Sequence, residues 1–254
     1  MKNKTLVLLM AVFLVAGNQA FAQKNKKKVA VVTFYVDKHI DFSELGNSAA
    51  LAGSIASLAE DPNFDLTPAL DKFHTAFFKE LSKSFSFDLV DEAIILNNEL
   101  YQSYENVGSD AGDEEKGLFQ SLIAQEGYQT LIEYAGISKD KFQAELDMLK
   151  MFPDVDGVMF VRLDYGFVKK MAVGGTGSAG MSAFARVKLW NREGKKVFAE
   201  NEYATSKKSV GLVAGVPVMS LDKIIPLCDN ATERLIADLK KTLPKKAGKI
   251  DKKL

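Results

Sequence analysis

Apolar residues recur along this chain with two different spacings, which predict strands and helices. The run Val29–Val36 is apolar at nearly every position and rich in β-branched residues, as is typical of a central strand covered on both faces. Thr67-Pro68 predicts a helix start, with Thr as N-cap and Pro at the first helical position. Five apolar residues around it, spaced by three or four, predict one buried helix face: Leu66, Leu70, Phe73, Phe77 and Leu81.

Shorter patterns predict further elements in the first 151 residues. A segment of small residues, 49–59, predicts a helix that packs closely against its neighbour. Phe87–Val90 predicts a short strand, and the stretch from Glu92 to Tyr104 predicts a helix. Two more helices are expected at about residues 118–134 and 139–151, the second with Ser138 as its N-cap.

The last hundred residues predict mainly strands, followed by one long helix. A strand is expected at residues 155–167, where Arg162 and Asp164 share one face. Residues 181–190 and 196–205 predict a hairpin around a turn in which Gly194 takes the left-handed conformation. The final helix is expected at roughly residues 221–243, with these residues on one apolar face: Ile224, Cys228, Ala231, Leu235 and Leu239.

The order of these elements, β-α-β-α-(α)-β-β-β-α, predicts the fold class. Helices and strands alternate at first and an antiparallel hairpin follows, which is typical of an α/β or α+β domain with a mixed sheet. No Pro-rich or Ser-rich linker divides the chain. We therefore expect a single domain at residues 29–243, with a helical insertion at about 105–151.

The first 22 residues have the pattern of a cleavable signal peptide. Lys2 and Lys4 precede an uncharged apolar run from Leu6 to Gly17, and Ala20-Phe21-Ala22 offers a cleavage site. The run is shorter than the roughly 20 residues that a membrane-spanning helix needs. These features predict export to the periplasm or beyond, a basic leader at residues 23–28 and a basic tail at residues 244–254.

Charge and cysteine content narrow the possible partners. Cleavage would remove Lys2 and Lys4, leaving 31 basic residues against 33 acidic ones. This balance argues against nucleic acid as a partner. The single cysteine, Cys228, excludes an internal disulfide and is expected to be an inert core thiol. Since no cysteine follows the apolar run, no lipid anchor is expected, and no transmembrane span is expected after cleavage.

Three short apolar motifs in this order resemble a known family. They are Val29-Ala30-Val31-Val32 with Phe34, Phe87-x-Leu89-Val90-Asp91, and Asp156–Val161 followed by Leu163. Together they resemble the periplasmic α/β domain of the TolB amino-terminal and curli-secretion (CsgG-like) group. The resemblance implies a partner-binding or assembly module and supplies no catalytic residue. The anchoring cysteine common in that group is missing here, and the helical insertion is larger.

One glycine motif matches a cofactor-binding pattern, but the element that follows it does not. Gly175-Thr176-Gly177-Ser178-Ala179-Gly180 fits G-x-G-x-x-G, but residues 181–190 read as a strand rather than the helix that a dinucleotide site needs. Thr176 also stands where a nucleophile elbow around Ser178 would need Gly. The sequence therefore predicts no cofactor.

The best candidate for a metal site follows the first strand. In an extended chain Asp37, His39 and Asp41 would point the same way, and Glu44 lies close behind them. The alternative is a solvated loop. The other histidine, His74, is expected to be packed or half-exposed on its helix. Four acidic residues of the loop 105–117 match no calcium-binding pattern: Asp110, Asp113, Glu114 and Glu115.

Two apolar, glycine-bearing segments are the candidates for partner contact. They are residues 171–181 and 211–219, and exposed apolar loops often mark a contact with a protein or membrane. The alternative is that they fold back over the sheet edge. We expect an envelope protein partner or self-association through the second segment, in particular through Leu212, Val213, Val216, Val218 and Met219.

Two hypotheses about function follow. The first is an exported, non-catalytic envelope protein that acts as a partner-binding or assembly module. The alternative is a periplasmic protein that binds a small ligand or a divalent metal through the cluster from Asp37 to Glu44.

Overall fold

The structure of the protein is a computed structural model. The predicted signal peptide, residues 1–22, and the start of the basic leader lie outside the described residues, as does most of the acidic loop 105–117. The structure describes residues 26–46, 48–105, 119–133, 143–173, 176–248 and 250–254.

The described strands form one mixed sheet, as the sequence predicted. β1 is parallel to β2 and β4, whereas the other pairs are antiparallel. The order across the sheet is β2-β1-β4-β5-β7-β8, with β3 also beside β1 and β6 also beside β5. The bounds are β1 Lys28–Asp37, β2 Asp88–Leu89, β3 Leu122–Ala124, β4 Gly157–Val173, β5 Thr176–Asn191, β6 Lys196–Thr205, β7 Val210–Val213 and β8 Val216–Pro217.

Helices cover the two faces of this sheet. Short 3₁₀ turns at Ser43–Leu45, Leu81–Ser84 and Ile250–Lys252 connect or end them. The α-helices are α1 Ala49–Glu60, α2 Thr67–Lys79, α3 Glu92–Leu96, α4 Glu99–Gln102, α5 Ala144–Met151 and α6 Leu221–Ala247.

Two hydrophobic cores lie on opposite faces of the sheet. The large core packs α1, α2 and α6 against one face, and there the Phe34 ring lies 5.5 Å from Phe73 and 5.6 Å from Phe77. The small core packs α3, α4 and α5 against the other face, around residues such as Phe160 and Trp190. β1 contributes to both cores, which confirms the prediction of a central strand covered on both sides.

The large core also holds Cys228, as the apolar face of the last helix predicted. The side chain is fully buried and burial raises the pKa of its thiol, so the group is a core residue. Beside it, the Tyr165 hydroxyl lies 2.6 Å from Thr232 Oγ1, and Thr232 donates to the Cys228 carbonyl.

The predicted helix at residues 118–134 is wrong in its described part. Leu122–Ala124 is instead strand β3, antiparallel to the end of β1, and the chain after it stays beside β1. Thr33 Oγ1 donates to the Gln129 carbonyl and accepts from the Leu131 backbone N–H. The backbone N–H and C=O groups at this edge of β1 need hydrogen-bond partners. This tertiary requirement outweighs the local preference for a helix.

Two other helix boundaries differ from the prediction. The helix expected from Glu92 to Tyr104 is divided into α3 and α4, because Asn98 starts a new helix by accepting from the Tyr101 N–H. The last helix continues through Pro244 to Ala247, and Ile250 is buried beyond it. Part of the expected basic tail therefore packs on the large core. Ser138, the expected N-cap of the 139–151 helix, lies outside the described residues.

The hairpin between β5 and β6 agrees with the prediction. Gly194 has φ 69° in the turn, and the Asn191 side chain accepts from the Glu193 and Lys195 N–H groups. β6 pairs only with β5 among the described strands. Its Glu200 side chain points to the large-core face, where Lys246 Nζ lies 2.5 Å from the carboxylate.

A polar contact joins α2 to α3 across the aromatic part of the large core. His74 Nε2 and the Tyr128 hydroxyl lie 2.7 and 2.8 Å from the same oxygen of Glu92. The His74 ring packs edge-on against Phe34, so it is half-buried as expected. Burial alone would raise the pKa of Glu92, but the hydrogen bonds from His74 and Tyr128 outweigh it and hold the pKa below its ordinary value.

This contact predicts a pH-dependent stability difference. Replacing Glu92 by Gln should lower the free energy of unfolding by about 1 kcal/mol at pH 7, because the charged hydrogen-bond acceptor is lost. A lowered pKa stabilises the fold above the pKa of the unfolded state, and this is lost as the pH falls through the folded-state value. The wild type and Glu92→Gln should therefore converge below roughly pH 4 in urea unfolding. A constant gap from pH 7 to pH 3 would contradict the assignment.

The β7–β8 hairpin has a strained connection. Val213 pairs with Val216, so two residues form the turn, and both have positive φ: Ala214 at 53° and Gly215 at 82°. Such a turn suits Asn-Gly, whereas alanine is disfavoured in the left-handed region.

Replacing Ala214 by Asn should stabilise the protein. Removing the conformational penalty should raise the free energy of unfolding by about 0.5–1 kcal/mol, measured by denaturant unfolding. Gly215→Ala is the matched control, since no atom lies within 4 Å of the added Cβ and only the conformational penalty changes. It should destabilise. Equal effects of both substitutions would contradict the turn geometry.

Candidate functional site

A charged cluster lies on the small-core face where β1 ends. Arg162 Nε donates to Asp164 Oδ1 at 2.5 Å, and Arg162 Nη2 donates to Asp37 Oδ2 at 3.0 Å. The guanidinium also lies 5.6 Å from the centre of the Tyr35 ring. The pairing of β1 with β4 places Tyr35 directly opposite Arg162. The predicted common face of Arg162 and Asp164 is confirmed.

Asp164 is the most buried acid of the cluster. Its second oxygen lies 3.0 Å from Arg186 Nε, without the alignment of a hydrogen bond. Burial raises the pKa of Asp164 above its ordinary value, although the neighbouring charges of Arg162 and Arg186 lower it. Arg186 is the most exposed of these partners, with about half of its side chain in solvent.

A cavity of about 160 Å³ opens beside this cluster. Tyr35 and Phe160 give it aromatic walls, and Lys188 contacts Glu133 at its side. Arg162, Arg186 and Lys188 all line it, and each has a carboxylate partner. Such a charge-compensated arrangement fixes the strands relative to one another and leaves Arg186 as its contact with solvent.

The residues proposed for a metal site are not brought together. Asp37 binds Arg162 and accepts from the His39 N–H, which turns the chain and ends the alternation that the prediction assumed. Asp41 accepts from Ser43, and both His39 and Glu44 are exposed. Among the residues that the structure describes, no three His, Cys, Asp or Glu side chains are placed to hold a metal ion.

The two apolar segments expected to be loops are largely strands. Residues 176–181 belong to β5, and β5 continues to Asn191. The glycine motif at residues 175–180 is therefore followed by a strand, as predicted. Gly175 itself lies outside the described residues. The 211–219 segment contains β7 and β8, and β7 pairs with β5. Because glycine and alanine were taken to indicate loops, the sequence did not reveal that these segments extend the sheet.

The five predicted contact residues are in different environments. Leu212 is buried in the large core, whereas 67% of Val213 is exposed. The alternation along β7 explains this contrast, because successive side chains point to opposite faces. The remaining three are half-buried: Val216, Val218 and Met219.

Three exposed apolar side chains lie together at the far end of the small-core face, and we call them the distal patch. The strand registers place Met171 beside Ser178 and Val173 beside Thr176, and the pairing of Gly177 with Leu212 places Val213 next to Thr176 on the same face. Tyr203 is exposed on the same face but lies outside this patch, beside Phe184, which is six residues along β5 from Ser178; the Tyr203 and Phe184 rings are 5.8 Å apart. Tyr203 was missed from the sequence, although its pairing with Phe184 in the predicted hairpin gave the signal. The distal patch consists of Met171, Val173 and Val213.

Lys170 connects β4 to the segment between β6 and β7, next to the distal patch. Its Nζ donates to three carbonyls of the segment between β6 and β7, those of Ser206, Lys207 and Lys208, at 2.7, 2.8 and 2.9 Å. Burial and the nearby Arg234 lower the pKa of Lys170. The side chain crosses the sheet over Gly180, where an added Cβ would lie 2.6 Å from Lys170 Cε.

Gly180→Ala should therefore destabilise the protein by displacing Lys170. The loss of its hydrogen bonds should lower the free energy of unfolding by about 1–3 kcal/mol. Gly211→Ala on the neighbouring strand is the matched control, because nothing lies within 4 Å of its added Cβ. In a Lys170→Ala background, Gly180→Ala should have little further effect. An undiminished effect there would contradict the proposed clash.

Comparison with known proteins gives no family assignment. No protein-family model and no curated protein matches the chain. Among the solved structures, the hypothetical protein CT253 from Chlamydia trachomatis is 10% identical, with a TM-score of 0.35, over 87% of this chain and 98% of that one.

Two further structures show a similar, weak likeness. Lipoprotein GNA1162 from Neisseria meningitidis is 12% identical, with a TM-score of 0.31, over 84% of this chain and 99% of that one. A putative neuraminyllactose-binding hemagglutinin homolog from Helicobacter pylori is 7% identical, with a TM-score of 0.31, over 91% and 92%. Likeness of this strength carries no argument about function.

None of the described helices combines the length and the apolar character needed to cross a membrane.

Proposed function

We propose that this protein is an exported, non-catalytic module of the bacterial envelope that binds a protein partner through its distal patch. Membership of the TolB amino-terminal and CsgG-like group is part of the proposal, since domains of that kind serve as binding and assembly modules. Export rests on the pattern of the first 22 residues.

The distal patch is the observation that carries this proposal. Its three side chains are between 67% and 77% exposed and make up three of the six exposed large hydrophobic residues in the described chain. They lie on one face at one end of the sheet, whereas isolated exposed apolar residues would be scattered. A contiguous apolar surface of this kind is typical of a contact with another macromolecule.

The charged cluster fits the same function. Arg162 binds Asp37 and Asp164, and Lys188 binds Glu133. Charges that are paired with each other hold the strands in a fixed arrangement, which suits a binding module.

Substitution in the patch tests the proposal. Val213→Glu and Met171→Glu should reduce the partner recovered after crosslinking in intact source cells by at least about tenfold, because each places a charge in an apolar contact. The affinity tag belongs before Lys26, since Leu254 packs against the large core. Thermal unfolding should show an unchanged Tm, because both side chains are exposed.

Leu100→Glu is the matched control. Leu100 is 69% exposed but lies on α4, away from the patch, so its substitution should leave partner recovery unchanged. Leu212 is unsuitable for this test because it is buried. Full recovery of the partner with Val213→Glu and Met171→Glu would refute this binding surface.

A further inference from the structure

Three cations line the cavity beside the charged cluster. Arg162 on β4 and Arg186 on β5 lie directly opposite each other, and Lys188 follows Arg186 on the same face. Like charges in such positions repel each other. Glu133 is the one carboxylate among the described residues that line the cavity, and it contacts Lys188. The cavity wall therefore carries an excess of positive charge, which favours an anion.

The two arginines differ in how many of their hydrogen-bond donors are used. Arg162 donates to Asp37 and Asp164, which are not among the residues that line the cavity. Arg186 has only the poorly aligned contact with Asp164, and no hydrogen bond joins its guanidinium to any described residue. A guanidinium presents its N–H donors as a planar fork that matches the two oxygens of a carboxylate. With about half of its side chain in solvent, Arg186 is available for such a partner.

The rest of the cavity suits an apolar group. The rings of Tyr35 and Phe160 and the side chain of Ile132 form its apolar walls. Burial raises the pKa of Tyr35, although the Arg162 charge lowers it, so the hydroxyl keeps its proton as a donor. The volume of about 160 Å³ is close to that of a cavity of roughly 150 Å³ that holds one benzene molecule.

We infer that this cavity binds a small organic carboxylate. The carboxylate lies on the Arg186 guanidinium, and an apolar body about as large as a benzene ring lies between Tyr35 and Phe160. Because Arg186 and Lys188 lie farther along β5 from Ser178 than Phe184 does, this site is separate from the distal patch. The inference therefore goes beyond the proposed function.

Benzoate titration followed by NMR of the arginine Nε–H groups tests this site. We expect benzoate to shift the Arg186 signal of the purified protein saturably, with a Kd on the order of 1 mM. Benzamide, the neutral isostere, should leave this signal unchanged. No shift with benzoate, or an equal shift with benzamide, would overturn the inference. Substitution can assign every signal, because the chain has only four arginines: Arg162, Arg186, Arg192 and Arg234.

Replacing Arg186 by Lys separates the guanidinium from its charge. Arg186→Lys keeps a cation beside Asp164 but removes the planar fork, so benzoate affinity should fall at least about tenfold, measured on the benzoate signals. The matched control is Arg192→Lys, because Arg192 is exposed in the β5–β6 turn, outside the cavity lining, and its substitution should leave the affinity unchanged. Unchanged affinity in a folded Arg186→Lys protein would overturn the inference.

Filling the cavity gives a second measurement that leaves the charges in place. Ile132→Trp occupies the space for the apolar body, so benzoate binding should be lost while the Arg186 signal remains. Leu100→Trp is the control, since Leu100 is exposed on α4 and does not line the cavity. Benzoate binding retained in Ile132→Trp would place the ligand elsewhere and overturn the inference. None of these results depends on partner recovery through the distal patch, so the two proposals can fail separately.

Discussion

The parallel pairing of β1 with β4 is the constraint on which the rest of the structure depends. Both strands have side chains in both cores, so each face of this pair must be covered and each backbone edge must find a partner. β4 fills one edge of β1, while β2 and β3 share the other. Helices from every part of the described chain then pack on the two faces.

This dependence explains what the sequence could and could not reveal. The apolar run Val29–Val36 and the spaced apolar residues of α2 predicted their elements correctly. Residues that are buried on these faces produce a regular apolar spacing in the local sequence. β3 has only three residues. It forms because β1 has an unpaired backbone edge, and the local sequence of β3 contains no pattern that indicates such an edge. The division between α3 and α4 depends on the Asn98 cap rather than on apolar spacing.

In the candidate site, contacts within one strand could be predicted from the sequence, whereas contacts between strands could not. Arg162 and Asp164 were placed together from the alternation of one strand, but Asp37 and Arg186 reach them through strand pairing. The metal hypothesis assumed that the chain stayed extended after β1, and the Asp37–His39 hydrogen bond ends that extension. Val213 was selected as part of an apolar loop, whereas its exposure comes from its position on a strand.

Glu200 has a consequence for how the molecule behaves at high local concentration. β6 has ten residues and one described partner, so its other edge is a template for strand addition. An incoming strand would have to continue the large-core face beside a carboxylate that is 3% exposed and bound to Lys246. Burying further apolar residues against this ion pair is unfavourable. This ion pair therefore disfavours polymerisation of the protein into β-fibrils through this edge.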